Sequence, residues 1–238
     1  MAQIQSVFER YEKKYLLDWA QYQALYPLLC NKMQPDDYGK HTICNLYYDT
    51  DQFTLIRASI EKPIYKEKLR LRSYGIPQAD STVFLELKKK FRGVVYKRRV
   101  PLTLEEAGRY LAIGQRPFPN QILSEIDWFR SRYPVAAKAF IAYDRVALFG
   151  RENPSLRVTF DTGIRWRGDS LDLNKGDWGA PILDRGTTLM EVKLPGAMPL
   201  WMCRLFDSLA LYPTSFSKYG VCYQNHLQKV MTGGMICA

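Results

Sequence analysis

Charged residues recur at every second position in several stretches of the chain. Arg70 and Arg72 form one such pair, and Glu86 stands two residues before Lys88. Guanidinium and ammonium groups gathered in this way bind phosphate well, because an Arg fork donates parallel hydrogen bonds to its oxygens. A lone carboxylate among such cations suits Mg²⁺ or Mn²⁺, which take oxygen ligands and bridge phosphates. The same spacing, two or four residues apart, is found for Lys97 and Arg99, Tyr143 and Arg145, Arg157 and Asp161, and Glu191 and Lys193.

A repeat of two is the repeat of a β-strand, whose side chains alternate between its faces. Each stretch therefore predicts a strand with one apolar face, packed under helices, and one mostly basic face. For any single strand, a charged face turned to water is the simpler interpretation. The repetition over several strands favours the other one, in which the charged faces point into a closed barrel. Unpaired buried charge is costly, so an anionic ligand would have to balance it.

The composition limits the class of protein. The chain has 238 residues, is 47% hydrophobic and carries a formal net charge of +10. Such a surplus favours polyanionic partners: nucleic acid, polyphosphate, nucleotides or an acidic membrane face. No stretch has the apolar length of a signal peptide or a membrane span. The cysteines form no CxxC pair, which argues against a zinc site, and we expect a cytoplasmic protein in a reducing compartment.

The elements that would position these residues come in runs of strands separated by helices, as in an α+β fold. Strands are predicted over residues 42–49, 66–73, 81–89, 94–102, 137–149, 156–162, 164–167 and 188–194. Helices are predicted over residues 16–33, 104–113 with Thr103 as N-cap, 120–133, 199–211 and 218–232. Asp18 is a candidate N-cap of the first helix. We predict one domain over residues 1–238, an eight-stranded, antiparallel β-barrel with helices packed outside.

Other catalytic patterns are missing from the sequence. It contains no HExxH, GxSxG, Walker A or GxGxxG motif. His41 and His226 are the only histidines and lie far apart, which argues against a nucleophilic triad. Binding of single-stranded nucleic acid is a weaker alternative that stays open. It would need stacking aromatics between the basic residues, where this chain mainly has Leu and Val, so we expect no nucleic-acid partner.

Ordered motifs along nearly the whole chain add a family resemblance. They are Phe8–Tyr15, Tyr47–Asp49, Leu69–Gly75, Phe84–Lys88, Tyr143–Arg145, Arg157–Thr162, Leu189–Lys193 and Phe216–Tyr219. The set resembles the VTC domain, the polyphosphate-polymerase member of the triphosphate tunnel metalloenzyme (CYTH-like) superfamily. The resemblance implies a tunnel that binds triphosphate or polyphosphate.

The resemblance also implies roles for individual residues. Catalytic contacts to phosphate would come from Lys14, Arg70, Arg72, Lys88, Arg145 and Lys218. Further substrate contacts would come from Lys97, Arg99, Tyr143, Arg157, Lys193 and Ser217. Glu191 would hold Mn²⁺ or Mg²⁺, with Glu12 as a second metal ligand. The implied reaction transfers the γ-phosphate of ATP or another nucleoside triphosphate to a polyphosphate chain, by positioning and charge neutralisation alone.

Two departures from the family pattern bear on the activity. The tunnel hydrolases and cyclases begin with Glu-x-Glu-x-Lys, whereas this chain has Arg10 where the first glutamate would stand. The lost carboxylate favours the polymerase over the triphosphatase branch. No segment matches the SPX sensor or the membrane helices of the eukaryotic VTC complex, so we expect a stand-alone bacterial type. A triphosphatase that hydrolyses tripolyphosphate or nucleotides, and a non-catalytic polyphosphate- or nucleotide-binding module, remain the alternatives.

Overall fold

The computed structural model describes residues 11–92, 94–194 and 196–228. The strands in these ranges are β1 (Tyr11–Leu17), β2 (Met33–Pro35), β3 (His41–Asp49), β4 (Tyr65–Tyr74), β5 (Thr82–Phe91), β6 (Val94–Thr103), β7 (Ala136–Gly150), β8 (Arg157–Arg167), β9 (Ala180–Pro181) and β10 (Thr188–Leu194). The helices are α1 (Trp19–Cys30), α2 (Thr54–Ile60), α3 (Leu104–Ile113), α4 (Gln121–Arg132), α5 (Leu200–Ser208) and α6 (Lys218–Cys222), the last continued by a π-helical turn over Tyr223–Leu227.

The chain folds into two compact units. Within the described ranges, the first unit comprises residues 11–42, 143–164 and 183–216, and the second comprises 43–142, 165–182 and 217–228. In the first unit the strand order is β1-β10-β8-β7, and β2 pairs with the end of β7. In the second unit the order is β7-β3-β4-β5-β6, and β9 pairs with the end of β8. The predicted α+β class with antiparallel strands is confirmed; the single domain stays a prediction.

Each unit has its own apolar core. In the first unit, residues of β1, β8 and β10 such as Val158, Met190 and Val192 pack with side chains of α1 and α5. In the second, residues of β4, β5 and β6 pack with side chains of α3 and α4, among them Leu85 and Phe129. Burying one face of each sheet under helices leaves the alternate, charged positions on the opposite face.

The prediction of a closed eight-stranded barrel is wrong in its closure. Within the described residues the main path runs β1-β10-β8-β7-β3-β4-β5-β6, with β2 and β9 attached at its side, and no pairing joins β6 to β1. The sheet therefore has ten strands in an open order. Strands of two or three residues, such as β2 and β9, leave no periodicity in the sequence, because their pairing partners define them rather than their own pattern.

The first predicted helix starts too early and ends too late. Leu16 and Leu17 belong to β1, and Met33 belongs to β2. Asp18 is the N-cap, as predicted: its carboxylate accepts a hydrogen bond from the backbone N–H of Gln21. The apolar spacing of the segment therefore mixes the end of a strand with a real helix, and the capping box marks the boundary better than the spacing does.

Two further differences concern β8 and α2. The two strands predicted over residues 156–162 and 164–167 are one strand, β8, which passes Gly163 at a φ of 56°. The sequence pattern does not predict the short helix α2. The last predicted helix is described only to residue 228, and Phe8, Glu9 and Arg10 of the first motif also lie outside the described residues.

No helix in the part of the chain that the structure describes is long and apolar enough to cross a membrane. Cys30, Cys44, Cys203 and Cys222 are free thiols. Cys237 lies outside the described residues.

Candidate functional site

One face of the β4–β5–β6 sheet in the second unit is strongly basic. The strands are antiparallel, and their register places the alternate side chains in transverse rows. One row is Arg70, Glu86 and Arg99, the next is Lys68, Lys88 and Lys97, and the following one contains Lys66 and Lys90. Every charged residue on this face of the three strands is basic except Glu86.

Glu86 is the carboxylate around which the arginines are arranged. Its side chain is only 1% exposed. Arg70 donates from Nε to Glu86 Oε2 at 2.7 Å, and its Nη2 lies 2.6 Å from the same oxygen. Lys97 Nζ lies 2.6 Å and Arg99 Nε 3.6 Å from Oε1, while Arg72 Nη1 lies 3.9 Å from Oε2. Burial alone would raise the pKa of Glu86, but Arg70, Arg72 and Lys97 hold it well below its usual range.

The rows beyond Glu86 hold lysines without an acidic residue among them. Burial lowers the pKa of Lys66, and the charges of Lys90, Lys62 and Lys88 lower it further. Burial likewise lowers the pKa of Lys97 to about 8, although the charge of Glu86 opposes this shift. These shifts have the direction that crowded, partly buried ammonium groups produce. An anion bound on this face would offset the repulsion between these ammonium groups.

The α6 segment of the second unit adds hydroxyl and ammonium groups beside these strands. Lys68 Nζ donates to Ser217 Oγ at 3.1 Å, and Lys218 is buried. The rings of Tyr47 and Tyr219 stack with centroids 4.8 Å apart. Burial alone would raise the pKa of Tyr47, but Arg70, Arg72 and Lys218 together lower it. The lowered pKa indicates a positive potential at this phenol.

The polar face of the first unit combines carboxylates with single cations. Lys14 Nζ lies 3.4 Å from Glu12 Oε1 and 3.5 Å from Glu191 Oε1, and it donates to the carbonyl of Phe216 at 2.8 Å. The pairing of β1 with β10 sets this arrangement, because Lys14 and Glu191 are direct partners. Two carboxylate oxygens thus converge on one ammonium group.

Arg145 joins a second carboxylate to Glu191 in the same unit. Its Nε and Nη2 donate to the two Asp161 oxygens at 2.6 and 2.7 Å, and Nη2 lies 3.8 Å from Glu191 Oε2. The guanidinium lies over the Tyr143 ring, with Cζ 5.2 Å from its centroid. Lys193 is the register partner of both Glu12 and Arg157.

The described residues contain no group of three or more His, Cys, Asp or Glu side chains that could hold a metal ion by themselves. Glu12 and Glu191 nevertheless offer two hard oxygen ligands that already point at one cation, the Lys14 ammonium. Mg²⁺ is often bound by one or two carboxylates together with substrate phosphates and water. These two carboxylates therefore fit a divalent ion that takes its other ligands from phosphate and water.

The predicted site residues divide evenly between the units. Those in the second unit are Arg70, Arg72, Lys88, Lys97, Arg99, Ser217 and Lys218, and those in the first are Glu12, Lys14, Tyr143, Arg145, Arg157, Glu191 and Lys193. Sequence reasoning missed Lys66, Lys68 and Lys90, which lie on the same face as Arg70 and Lys88. The signal for them is their spacing: they stand at every second residue from Arg70 and Lys88 along the two strands of the predicted hairpin.

Comparison with known proteins shows the family of the chain. The family model of the VTC domain matches residues 9–226 of the chain. The chain belongs to the VTC domain family. The match spans both units, so the basic face around Glu86 and the Glu12–Lys14–Glu191 cluster both lie within this VTC domain.

Solved structures resemble the VTC domain in fold. A protein named as a candidate adenylate cyclase, from Bacillus halodurans, aligns with a TM-score of 0.57 and 14% identity, covering 90% of this chain and 96% of that one. A candidate adenylyl cyclase from Hippeastrum, named for a dominant triphosphatase activity, aligns with a TM-score of 0.50 and 17% identity, covering 90% and 95%. At these identities the likeness concerns the fold alone. A search of the curated proteins finds no match.

Proposed function

We propose that this VTC domain is an NTP-dependent polyphosphate polymerase, which transfers the γ-phosphate of ATP to a polyphosphate chain with the help of Mn²⁺ or Mg²⁺. The observation that carries the proposal is the face of β4, β5 and β6, on which every charged residue except Glu86 is basic. Its cations follow one another at every second residue, roughly 7 Å apart along a strand. A phosphate chain offers negative charge repeatedly along its length, which suits such a row.

The proposed roles follow the type of each side chain. Arginines bind phosphate oxygens in pairs, and lysines supply compact positive charge. We assign phosphate binding to Lys14, Arg70, Arg72, Lys88, Arg145 and Lys218, with further substrate contacts from Lys97, Arg99, Tyr143, Arg157, Lys193 and Ser217. These groups orient donor and acceptor phosphates and balance the charge of the transferred group, and no covalent protein intermediate is needed.

The metal is assigned to Glu191 and Glu12. The two carboxylates would hold the ion through their oxygens, and the chemistry it would supply is neutralisation of phosphate charge. Lys14, which contacts both carboxylates, would then turn its ammonium group toward phosphate. Asp161 is a weaker candidate ligand, because Arg145 already occupies both of its oxygens.

Hydrolysis is the second candidate function. The similar Hippeastrum structure is named for a triphosphatase activity, and the same phosphate contacts would serve if water replaced the phosphate acceptor. The absence of the first glutamate of Glu-x-Glu-x-Lys, where Arg10 stands, favours the polymerase.

The deciding experiment incubates purified protein with ATP and Mn²⁺ or Mg²⁺ and follows ADP, free phosphate and polyphosphate length. ADP together with lengthening polymer supports the proposal. Free phosphate without polymer supports hydrolysis instead. Tight binding of polyphosphate without turnover would leave a binding module as the function. Absence of both binding and turnover would contradict the assignment of the basic face to phosphate.

Glu191→Gln tests the metal assignment in the same assay. We expect metal-dependent turnover to be lost while some phosphate binding remains, because the variant keeps the shape of the side chain and removes its charge. The matched control is Glu152→Gln, which changes an exposed carboxylate of the first unit. Full activity in Glu191→Gln would contradict the assignment.

A further inference from the structure

The basic face of the second unit ends in a pair of aromatic rings. Tyr74 is the last residue of β4, and Phe84 stands opposite Arg72 on β5, so both lie on the face that carries the arginines. The rings meet edge to face with centroids 5.7 Å apart. Neither ring belongs to the apolar core of the unit, and Tyr74 is 50% exposed. The pair is therefore a surface feature of the charged side of the sheet.

Arg99 fixes these rings to the phosphate-binding residues. Its guanidinium carbon lies 3.4 Å from the centroid of the Phe84 ring, and its Nη2 lies 3.5 Å from the Tyr74 hydroxyl, to which it donates. The same side chain is ion-paired with Glu86. Tyr74, Phe84 and Arg99 thus form one connected cluster, in which the Tyr74 ring is half-exposed; we call this cluster the aromatic platform.

We propose that the aromatic platform binds the base of the nucleoside triphosphate. Nucleobases stack on aromatic rings and on guanidinium planes, and this stacking tolerates different bases because each has a π-face. A tyrosine half-exposed beside a row of arginines provides such a surface next to a place for phosphate. This inference rests on the proposed function and adds a nucleoside subsite to it.

The spacing along β4 fits this ligand. Arg72 and Arg70 stand two and four residues before Tyr74, roughly 7 and 13 Å along the strand. These distances match the reach of an extended nucleoside triphosphate from its base to its phosphates. Lys68 follows at the next alternate position, with Lys88 as its register partner. The base would therefore lie at the Tyr74 end, with the terminal phosphate directed toward the lysines.

The platform also implies a preference among nucleotides. Purines offer a larger stacking surface than pyrimidines, so ATP and GTP should bind more tightly than CTP and UTP. Inorganic tripolyphosphate has no base, and its affinity should be independent of the platform. The two ligands therefore separate base binding from phosphate binding on the same protein.

The test measures the dissociation constants of ATP and of tripolyphosphate by calorimetry for the whole protein and for Tyr74→Leu. We expect the variant to bind ATP about tenfold more weakly, since stacking on one aromatic side chain contributes about that much, and to bind tripolyphosphate within about twofold of the unchanged protein. Tyr74→Phe keeps the ring and should keep the ATP affinity. The matched control is Tyr96→Leu, a partly exposed tyrosine on the opposite face of β6.

The outcomes separate this inference from the proposed function. Equal loss for ATP and tripolyphosphate in Tyr74→Leu, or no loss for either, overturns the platform while phosphate binding stands. A loss for ATP in Tyr96→Leu as large as in Tyr74→Leu overturns it as well. An unchanged protein that binds no tripolyphosphate overturns the proposed function and the platform with it.

Discussion

At the scale of single residues, Glu86 decides how the basic face is organised. It carries the wrong charge for binding phosphate, yet Arg70, Lys97 and Arg99 all contact it. A buried carboxylate held by several cations has little conformational freedom, and it fixes the directions of their side chains. We infer that its role is to position the cations, and that its benefit to phosphate binding outweighs its repulsion.

Glu86→Gln tests this positioning role. Removing a negative charge from a cationic face should strengthen anion binding if charge alone matters. We expect the opposite, a dissociation constant for tripolyphosphate about tenfold higher, because the amide cannot hold Arg70 and Lys97 in place. Calorimetry measures the affinity, and urea unfolding checks that the variant is folded. Glu125→Gln is the control, since this carboxylate pairs with Arg98, which points to the opposite face. Tighter binding in Glu86→Gln would contradict the positioning role.

We expect Lys97 to make ATP binding depend on pH. Burial lowers its pKa to about 8, so it is about half protonated at pH 8. A bound phosphate favours the charged form, and binding should therefore take up protons. We expect ATP affinity to fall between pH 7 and pH 9, with uptake of up to about half a proton at pH 8 in calorimetry with buffers of different ionisation enthalpy. Lys97→Arg stays charged and should remove both effects; their persistence would assign them to another group.

At the scale of elements, Asp49 joins β3 to two helices of the second unit. Its carboxylate accepts hydrogen bonds from the backbone N–H groups of Thr50, Leu55 and Ile56 and from the Tyr219 hydroxyl, at 2.8 to 3.1 Å. The bonds to α2 satisfy N–H groups that a helix terminus leaves unpaired. The bond to Tyr219 fixes α6, and with it the neighbouring Lys218. A residue of the family motif thus acts on the site from the core.

Asp49→Asn should lower the free energy of unfolding by about 1 to 3 kcal/mol, because the amide has one accepting oxygen and its NH2 group cannot accept the bonds made to the second carboxylate oxygen. Urea unfolding at neutral pH measures the change. Asp51→Asn is the control: its side chain is 87% exposed and pairs with Lys138 at the surface, where solvent screens the pair and its loss should change the stability little. An equal loss of stability in the two variants would contradict the conclusion that the Asp49 hydrogen bonds hold α2 and α6 to β3.

The same elements explain which parts of the fold the sequence predicts. Where one strand buries an apolar face, as in β4 and β5, alternation reveals both the strand and its basic face. Pairing defines β1 instead, since Lys13 and Lys14 interrupt its alternation and the register with β10 places Lys14 beside Glu191. The helix α2 begins after Phe53, at a φ of 54°, and hydrogen bonds from its first N–H groups to the side chains of Thr50 and Asp49 hold its N-terminus. Long-range partners cannot be inferred from local pattern.

At the scale of the whole molecule, the positive charge is placed unevenly. The chain has a formal net charge of +10, and many of its exposed lysines, such as Lys40 and Lys175, stand outside the basic face. A general attraction of polyanions would use all of these charges. A built site would use mainly those held in register across β4, β5 and β6. Attraction by net charge and binding at a built site therefore predict different affinities for polyanions when the same number of charges is removed from different places.

Two double variants separate these predictions, because each removes two of the ten net positive charges. Lys68→Ala with Lys88→Ala should raise the dissociation constant of tripolyphosphate at least about tenfold. Lys40→Ala with Lys175→Ala should change it by less than about twofold at 0.15 M salt, where the Debye length is about 8 Å and solvent-exposed charges outside the basic face are screened. At low salt the second variant should lose affinity as well, because screening weakens. Calorimetry at the two salt concentrations measures both effects. Equal losses at 0.15 M would mean that net charge, rather than the arrangement on the sheet, attracts the phosphate chain.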